Sequence, residues 1–427
     1  MISVNMFLGA YLIIFIISYI ADLVLDLINC VNLKRYGNEV PNEFIGVIDE
    51  EELIKMNEYT FDNTKLSVFR SLVGKIIFLV IILSGFLPWI TEAISDFPFI
   101  PAGLIFIAIP SIIGSLAGLP FDYYGIFHVE EKYGFNTRTL GIWISDLFKS
   151  LLIGVILGVI LLSLLLLMIR YSGNFWWIWA WVIFFCFQLL MVIIYPTIIA
   201  PIFNKFIPVG DTGLAEKIKH LSEQEGLTVK GIFQMDAARR SRHTNAYFSG
   251  LGRSKRIVLY DTLLESHEDD EILSVLAHEI GHLKRGHIKK QLIFMGVASF
   301  ILFFLASVMI KWDLMYESFG FSLMPAYVGL FLIGVLWDPI GFFLSPVAMI
   351  ISRKFEREAD LHVYESLKTT EPMINALKRL AKDNLSNLRP HPLYVGFHYS
   401  HPPLLERIDR LEHMADNSHL NYRDKRL

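Results

Sequence analysis

The sequence predicts a mainly α-helical integral membrane protein with seven spanning helices and a folded, water-exposed domain that contains a small β-sheet. Hydrophobic residues make up 54% of the 427 residues and charged residues only 19%, whereas a soluble domain has about 45–50% and about 25%. The apolar residues are concentrated in long segments, and most of the polar residues lie in two blocks with helix and strand patterns. This distribution indicates a bilayer-spanning part with a domain attached outside it.

Seven segments contain the roughly 20 mostly apolar residues that a spanning helix requires. They lie at 6–30, 73–94, 101–119, 151–169, 175–200, 291–311 and 327–351. Asp22 and Asp26 continue the helical pattern of the first segment, which has no basic start and no small-residue cleavage site. We therefore interpret it as a spanning helix and not as a cleaved signal.

Basic residues alternate between the two sides of the predicted spans. They are frequent in 31–71, 120–150, 201–290 and 352–427, and nearly absent from 96–100, 170–174 and 312–326. Since Lys and Arg collect in cytoplasmic loops, we expect an outer or lumenal N-terminus and a cytoplasmic C-terminus. The two large polar blocks then face one compartment and can form one domain. We divide the chain into a membrane part (1–200), a first domain part (201–290), spans six and seven (291–351) and a second domain part (352–427).

Both polar blocks carry patterns of regular structure. A helix is expected at 212–226, closed by Gly226, and strands at 229–236, 245–250 and 255–261, with a turn at 250–255 between the last two. Further helices are expected at 268–288, 352–368, 371–384 and 402–414.

Composition excludes several classes of function. The net charge is −4, so no overall positive field attracts nucleic acid, and we expect no nucleic-acid partner. Cys30 and Cys186 lie far apart in apolar stretches. They form neither a disulfide framework nor a thiolate metal site, and we expect them to be packing residues.

The segment SVLAHEIGHLKRGH (274–287) carries the clearest chemical pattern. His278 and His282 are four residues apart, so on a helix they share one face and can bind one zinc ion. Glu279 flanks that position, where it can take a proton from water, as in the HExxH zinc proteases. Gly281 weakens a helix, which suggests close packing against it. His287 does not fit the spacing of the third histidine in HExxHxxGxxH, and we expect no metal-binding role for it.

A catalytic zinc ion needs a third protein ligand. Glu356 and Asp360 in SRKFEREADLHVYESL (352–367) lie one helical turn apart, beside the small Ala359. We predict that Glu356 binds the metal and that Asp360 accepts the spare N–H of a ligand histidine. Glu358 is the competing carboxylate but points to another face. The same residues also fit an exposed, charged helix, and spacing alone leaves both interpretations open.

HEIGH (278–282), followed after the sixth and seventh spans by ExxAD (356–360), resembles the type I CAAX prenyl endopeptidases, integral-membrane zinc proteases of the gluzincin class. The resemblance covers nearly the whole chain and includes the segments 40–69, 130–150, 245–265 and 400–411.

The resemblance implies a hollow barrel of seven helices around a water-filled chamber, capped on the cytoplasmic side by the zinc domain. It supports Glu356 as the third ligand. It further implies that Asn245 and Ala246 lie on an edge strand that pairs with the substrate backbone, and that His401 and Arg407 face the scissile carbonyl as hydrogen-bond donors.

The sequence therefore predicts a zinc endopeptidase with one Zn²⁺ ion held by His278, His282 and Glu356, with Glu279 as the base. By resemblance, the substrate is a prenylated CAAX protein or peptide. We expect a monomer in the bilayer, in the endoplasmic reticulum of a eukaryote or the inner membrane of a bacterium.

Two alternatives stay open. One is a membrane quality-control protease with the same site and broader substrates. The other is a seven-span receptor or metal transporter, which would carry ionisable residues inside several spans. Only Asp22, Asp26 and Asp338 are candidates for such residues.

Overall fold

The structure is a computed structural model that describes residues 5–210, 213–249 and 255–423. Seven helical stretches of this described part are long and apolar enough to cross a membrane, as predicted. They are Met6–Tyr36, Glu50–Leu83, Phe99–Tyr133, Leu140–Tyr171, Gly173–Phe203, His287–Met309 and Ala326–Leu367.

The second and seventh spans differ from their predicted bounds. The second helix begins at Glu50, after a capping box formed by Asp49 and Glu52, and ends at Leu83. Gly85 has a left-handed φ of 81° and separates it from a short helix at Phe86–Ala93. The predicted continuous segment 73–94 was therefore wrong at this break. The seventh span does not end at 351 but continues without interruption into the predicted helix 352–368.

The spanning helices line a partly open cavity of about 1020 Å³, which agrees with the expected hollow barrel. Its lining is mostly apolar but includes Arg70, Lys75 and Asp338. Lys75 Nζ lies 2.6 Å from Asp338 Oδ2, and the pair joins the second helix to the seventh. Lys75 lies inside the predicted span 73–94, so the expectation that only Asp22, Asp26 and Asp338 are ionisable residues within spans was wrong. An ion pair between two spanning helices is expected to face the interior of the bundle or a water-filled space, not lipid.

The domain contains a small mixed sheet of four described strands in the order β1–β2–β4–β3. They are β1 (Phe206–Pro208), β2 (Val229–Met235), β3 (Ala246–Ser249) and β4 (Lys255–Tyr260). β2 and β4 are parallel, whereas β1 and β3 run antiparallel to their neighbours. Three of these strands were predicted and β1 was missed. The predicted turn at 250–255 lies almost wholly outside the described residues.

The first three helices of the domain pack on this sheet, and the last three pack on other helices. They lie at Gly213–Gln224, Asp261–Ser266, Asp269–Lys284, Glu371–Asp383, Pro392–His398 and Leu404–Arg423. We call Asp269–Lys284 the histidine helix and Ala326–Leu367 the carboxylate helix.

The core of the domain is not built from the two polar blocks alone. Phe44 precedes the second spanning helix and Met56 lies in its first turns, while Tyr133 and Phe135 lie at the end of the third helical stretch and just after it; all four are buried in the same cluster as Leu276 of the histidine helix. These two segments therefore pack as part of the domain, although they precede it by many residues in the chain.

Candidate metal centre

The histidine helix is fixed at its start and pressed closely against the carboxylate helix. Glu268 and Glu271 form a reciprocal capping box at its first turn, which satisfies free backbone N–H groups. At Gly281 a Cβ atom would lie 2.8 Å from His362 Cβ and 3.0 Å from Ala359 Cα. Only glycine therefore allows the two backbones to approach this closely, which agrees with the packing expected at Gly281.

This close approach brings together the three predicted metal ligands. His278 Nε2 and His282 Nε2 are 3.2 Å apart. Glu356 Oε2 lies 3.3 Å from the first of these atoms, and Glu356 Oε1 lies 3.3 Å from the second. These three residues are the only such group of possible metal ligands found among the described residues.

The geometry fits a small tetrahedral cation. Such an ion, with bonds of about 2.0–2.1 Å, holds its ligand atoms about 3.3–3.4 Å apart. Glu356 Oε2 is buried and accepts no hydrogen bond from any described residue. A buried, unsatisfied carboxylate oxygen is costly, and a cation bound between these three side chains would satisfy it.

Asp360 occupies the predicted position beside His278. Its Oδ1 lies 2.9 Å from His278 Nδ1, so the carboxylate accepts that N–H and leaves the Nε2 lone pair directed at the site. Arg407 donates to both oxygens of Asp360, at 2.9 and 2.6 Å. All three side chains are buried. We call His278, Asp360 and Arg407 the buried arm.

His282 is held in a different way, which the sequence reasoning missed. Its Nδ1 lies 2.8 Å from His287 Nδ1, and His287 Nε2 lies 3.0 Å from Glu358 Oε2. His287 is therefore not a member of the ligand group but contacts one. We call His282, His287 and Glu358 the relay. The sequence did contain a signal: His287 and Glu358 lie close in the chain to the predicted ligands His282 and Glu356, and neither had been assigned a role.

Glu279 lies beside the ligands in a pocket of about 370 Å³ that His282 and Glu356 also line. Burial raises the pKa of the Glu279 carboxyl above its ordinary value. A carboxylate with a raised pKa is a better proton acceptor near neutral pH. Position and basicity both fit the role predicted for it.

The remaining predicted residues lie at different distances from the ligands. His401 is near them, with Nε2 3.4 Å from Glu356 Oε1, and its side chain is 61% exposed. Arg407 lies on the Nδ1 side of His278, where its Nη2 is 3.5 Å from that atom. Ala246 is the first residue of β3, an edge strand of the described sheet, and Asn245 directly precedes it.

Comparison with known proteins agrees with this architecture. A family model described as the CAAX prenyl protease N-terminal region with five membrane helices matches residues 29–205, and a model of peptidase family M48 matches residues 208–415. CAAX prenyl protease 1 homolog from Oryza sativa subsp. japonica is 33% identical over 417 residues, which cover 95% of this chain and 97% of the relative.

Two further relatives extend the comparison. CAAX prenyl protease 1 from Saccharomyces cerevisiae is 34% identical over 415 residues, 90% of each chain. The crystal structure of S. mikatae Ste24p superimposes with a TM-score of 0.88 at 32% identity, covering 94% of this chain and 98% of that one. The family is one of metallopeptidases, which leaves no support for the receptor or transporter alternative. The chain belongs to the CAAX prenyl protease family of M48 membrane peptidases.

Proposed function

We propose that this protein is a zinc endopeptidase that hydrolyses peptide bonds near the C-terminus of prenylated CAAX proteins or peptides. The single observation that carries the metal assignment is the convergence of His278, His282 and Glu356. The two histidine Nε2 atoms are 3.2 Å apart, and each lies 3.3 Å from a different oxygen of Glu356, distances that suit bonds of about 2.0–2.1 Å to one zinc ion. The substrate class is supported by the relatives, which are named CAAX prenyl proteases and match this chain over 97% and 90% of their own length.

A zinc ion held by His278, His282 and Glu356 would supply Lewis-acid charge to polarise the scissile carbonyl and to make water more acidic. Glu279 removes a proton from the attacking water and returns it to the leaving amine. Asp360 keeps His278 in the tautomer that presents its Nε2 lone pair. His401 stands close enough to the ligands to donate a hydrogen bond to the carbonyl oxygen as negative charge develops on it.

Two further roles complete the proposal. Asn245 and Ala246 offer the free edge of β3 to an extended substrate backbone, since edge strands bind peptides by adding a strand. Arg407 is held by Asp360, and we assign it to the support of that carboxylate, with the contact to the scissile carbonyl kept as the resemblance-based alternative.

We further propose that the protein is a monomer. We also propose that its domain faces the cytoplasm, because the basic residues of the chain lie on the domain side of the spans. In a eukaryote the membrane is the endoplasmic reticulum. Glycosylation acceptors introduced at 96–100 and 312–326 should be modified in that case, whereas acceptors in the domain should not.

Glu279→Gln provides the central test. The amide cannot accept the proton, so kcat is expected to fall by about 10²–10⁴-fold, while zinc content stays at one ion per chain. Asp270→Asn is the matched control, because this exposed carboxylate lies on the first turn of the same helix. Unchanged peptidase activity in Glu279→Gln would remove Glu279 from the mechanism.

The substrate is tested separately with a farnesylated CAAX peptide and its unlipidated twin. Preferential cleavage of the lipidated peptide is expected. Equal cleavage of both would favour the quality-control protease with broader specificity.

A further inference from the structure

The relay contains the second histidine ligand, His282, whose ring must be held in one orientation to bind the metal. A zinc-binding imidazole presents one ring nitrogen to the ion, and a hydrogen bond from the other nitrogen fixes its tautomer and orientation. For His278 that partner is the carboxylate of Asp360. Within the described part of the chain no carboxylate is found at His282 Nδ1, and the partner of that atom is the imidazole of His287.

The direction of each hydrogen bond in the relay follows from its outer end. An ionised carboxylate can only accept, so His287 Nε2 carries the hydrogen that is donated to Glu358 Oε2 at 3.0 Å. In a neutral imidazole the other nitrogen is then an acceptor, so His287 Nδ1 accepts from His282 Nδ1–H at 2.8 Å. His282 Nε2 is left with its lone pair facing His278 Nε2 and Glu356.

The local backbone and packing hold His287 in this position. Gly286 has a left-handed φ of 67°, which turns the chain so that His287, the first residue of the next helix, returns toward His282. The ring of His287 stacks on Phe355 with centroids 4.3 Å apart and planes 10° apart. Its side chain is only 4% exposed. Both ring nitrogens are thus occupied and the ring plane is fixed.

We infer that His287 and Glu358 are positioning residues that fix the tautomer and orientation of the metal ligand His282. This inference rests on the metal site proposed above and extends it to two residues outside the ligand group. Glu358 belongs to the carboxylate helix, two residues from Glu356, so the same rigid element supplies one ligand and orients another.

The test measures zinc affinity by competition with a chromogenic chelator, using the purified full-length protein. His287→Phe keeps an aromatic face against Phe355 but removes both nitrogens, and it is expected to weaken zinc binding by about 10–100-fold. His287→Asn keeps an acceptor near the Nδ1 position and should recover much of that loss. Glu358→Gln should show a smaller loss, because the amide oxygen can still accept from His287.

Two comparisons separate positioning from general damage to the fold. If Glu358 acts only through His287, the double variant His287→Phe with Glu358→Gln should bind zinc no more weakly than His287→Phe alone. Glu365→Gln is the matched control. Glu365 also links the carboxylate helix to the chain at the end of the histidine helix, through Arg285 at 2.7 Å, and its recorded contacts with described residues do not include His278, His282 or Glu356.

The outcomes are distinguishable. Absence of zinc from the unaltered protein would overturn the metal site itself. Normal zinc content in the unaltered protein, with undiminished affinity in His287→Phe or fully additive losses in the double variant, would overturn the relay and leave the proposed function standing. If His287→Phe does not fold, the zinc affinities of His287→Asn and Glu358→Gln are compared instead. A zinc affinity of Glu358→Gln equal to that of the control Glu365→Gln would then overturn the relay.

Discussion

The buried arm and the relay perform the same task on neighbouring ligands under different physical conditions. In the buried arm the side chains of His278, Asp360 and Arg407 are at most 9% exposed. In the relay the inner residue His287 is equally buried, but His282 is 21% and Glu358 29% exposed. In a buried ion pair each charge is stabilised only by its partner, whereas water also stabilises a partly exposed carboxylate. We therefore expect loss of the partners of His278 to lower the stability of the domain, and loss of the partners of His282 to change it little.

The largest effect should come from breaking the buried arm. Asp360→Asn removes the ionised carboxylate that pairs with the buried Arg407 guanidinium, and loss of one partner of a buried ion pair costs about 3–5 kcal/mol. We expect a marked fall in the free energy of unfolding together with weaker zinc binding. Chemical unfolding in detergent, compared with Glu358→Gln, measures the difference between the two arms. Equal destabilisation by both variants would contradict the distinction.

An intermediate effect is expected at the contact that both arms share. Gly281→Ala should force the histidine and carboxylate helices apart, at a cost of about 1–3 kcal/mol for overpacking, which exceeds the gain of about 1 kcal/mol in helix propensity. Zinc affinity and stability should fall together, because ligands on both helices are displaced. Gly158→Ala is the control, since it also lies within a helix and its Cβ would meet nothing within 4 Å.

The smallest effect is expected at the exposed ion pair between Arg285 and Glu365. These side chains are 37% and 46% exposed, and such pairs contribute about 0–1 kcal/mol. Glu365→Gln should therefore change neither the unfolding midpoint nor zinc affinity appreciably. A loss as large as that in Asp360→Asn would show that solvent exposure does not separate the two arms.

Much of the architecture could be predicted from the sequence because the physical signals are strong. Long apolar segments identified all seven spans, and the four-residue spacing of His278 and His282 placed both on one helical face. The break at Gly85 was missed because apolar residues continue on both sides of it. The three-residue strand β1 was missed because it is too short to show a periodic pattern and includes Pro208.

The candidate site was predictable only in part, for a related reason. Spacing in sequence is informative within one helix, so His278, Glu279 and His282 could be assigned from the pattern alone. His287 and Glu358 belong to different helices, and their contact depends on the turn at Gly286 and on the close approach at Gly281. Such contacts have no periodic signature in a single sequence.

The packing of two earlier segments of the chain into the core of the domain has a practical consequence. Phe44, Met56, Tyr133 and Phe135 are buried in the same core cluster as Leu276, yet all four lie outside the 208–415 region that matches the peptidase model. A fragment cut at that boundary would lack four large apolar side chains of its own core, and the apolar surface that they cover would be exposed to water. We therefore expect that the 208–415 region does not fold on its own, and it should be produced and assayed together with the membrane helices that carry these four residues.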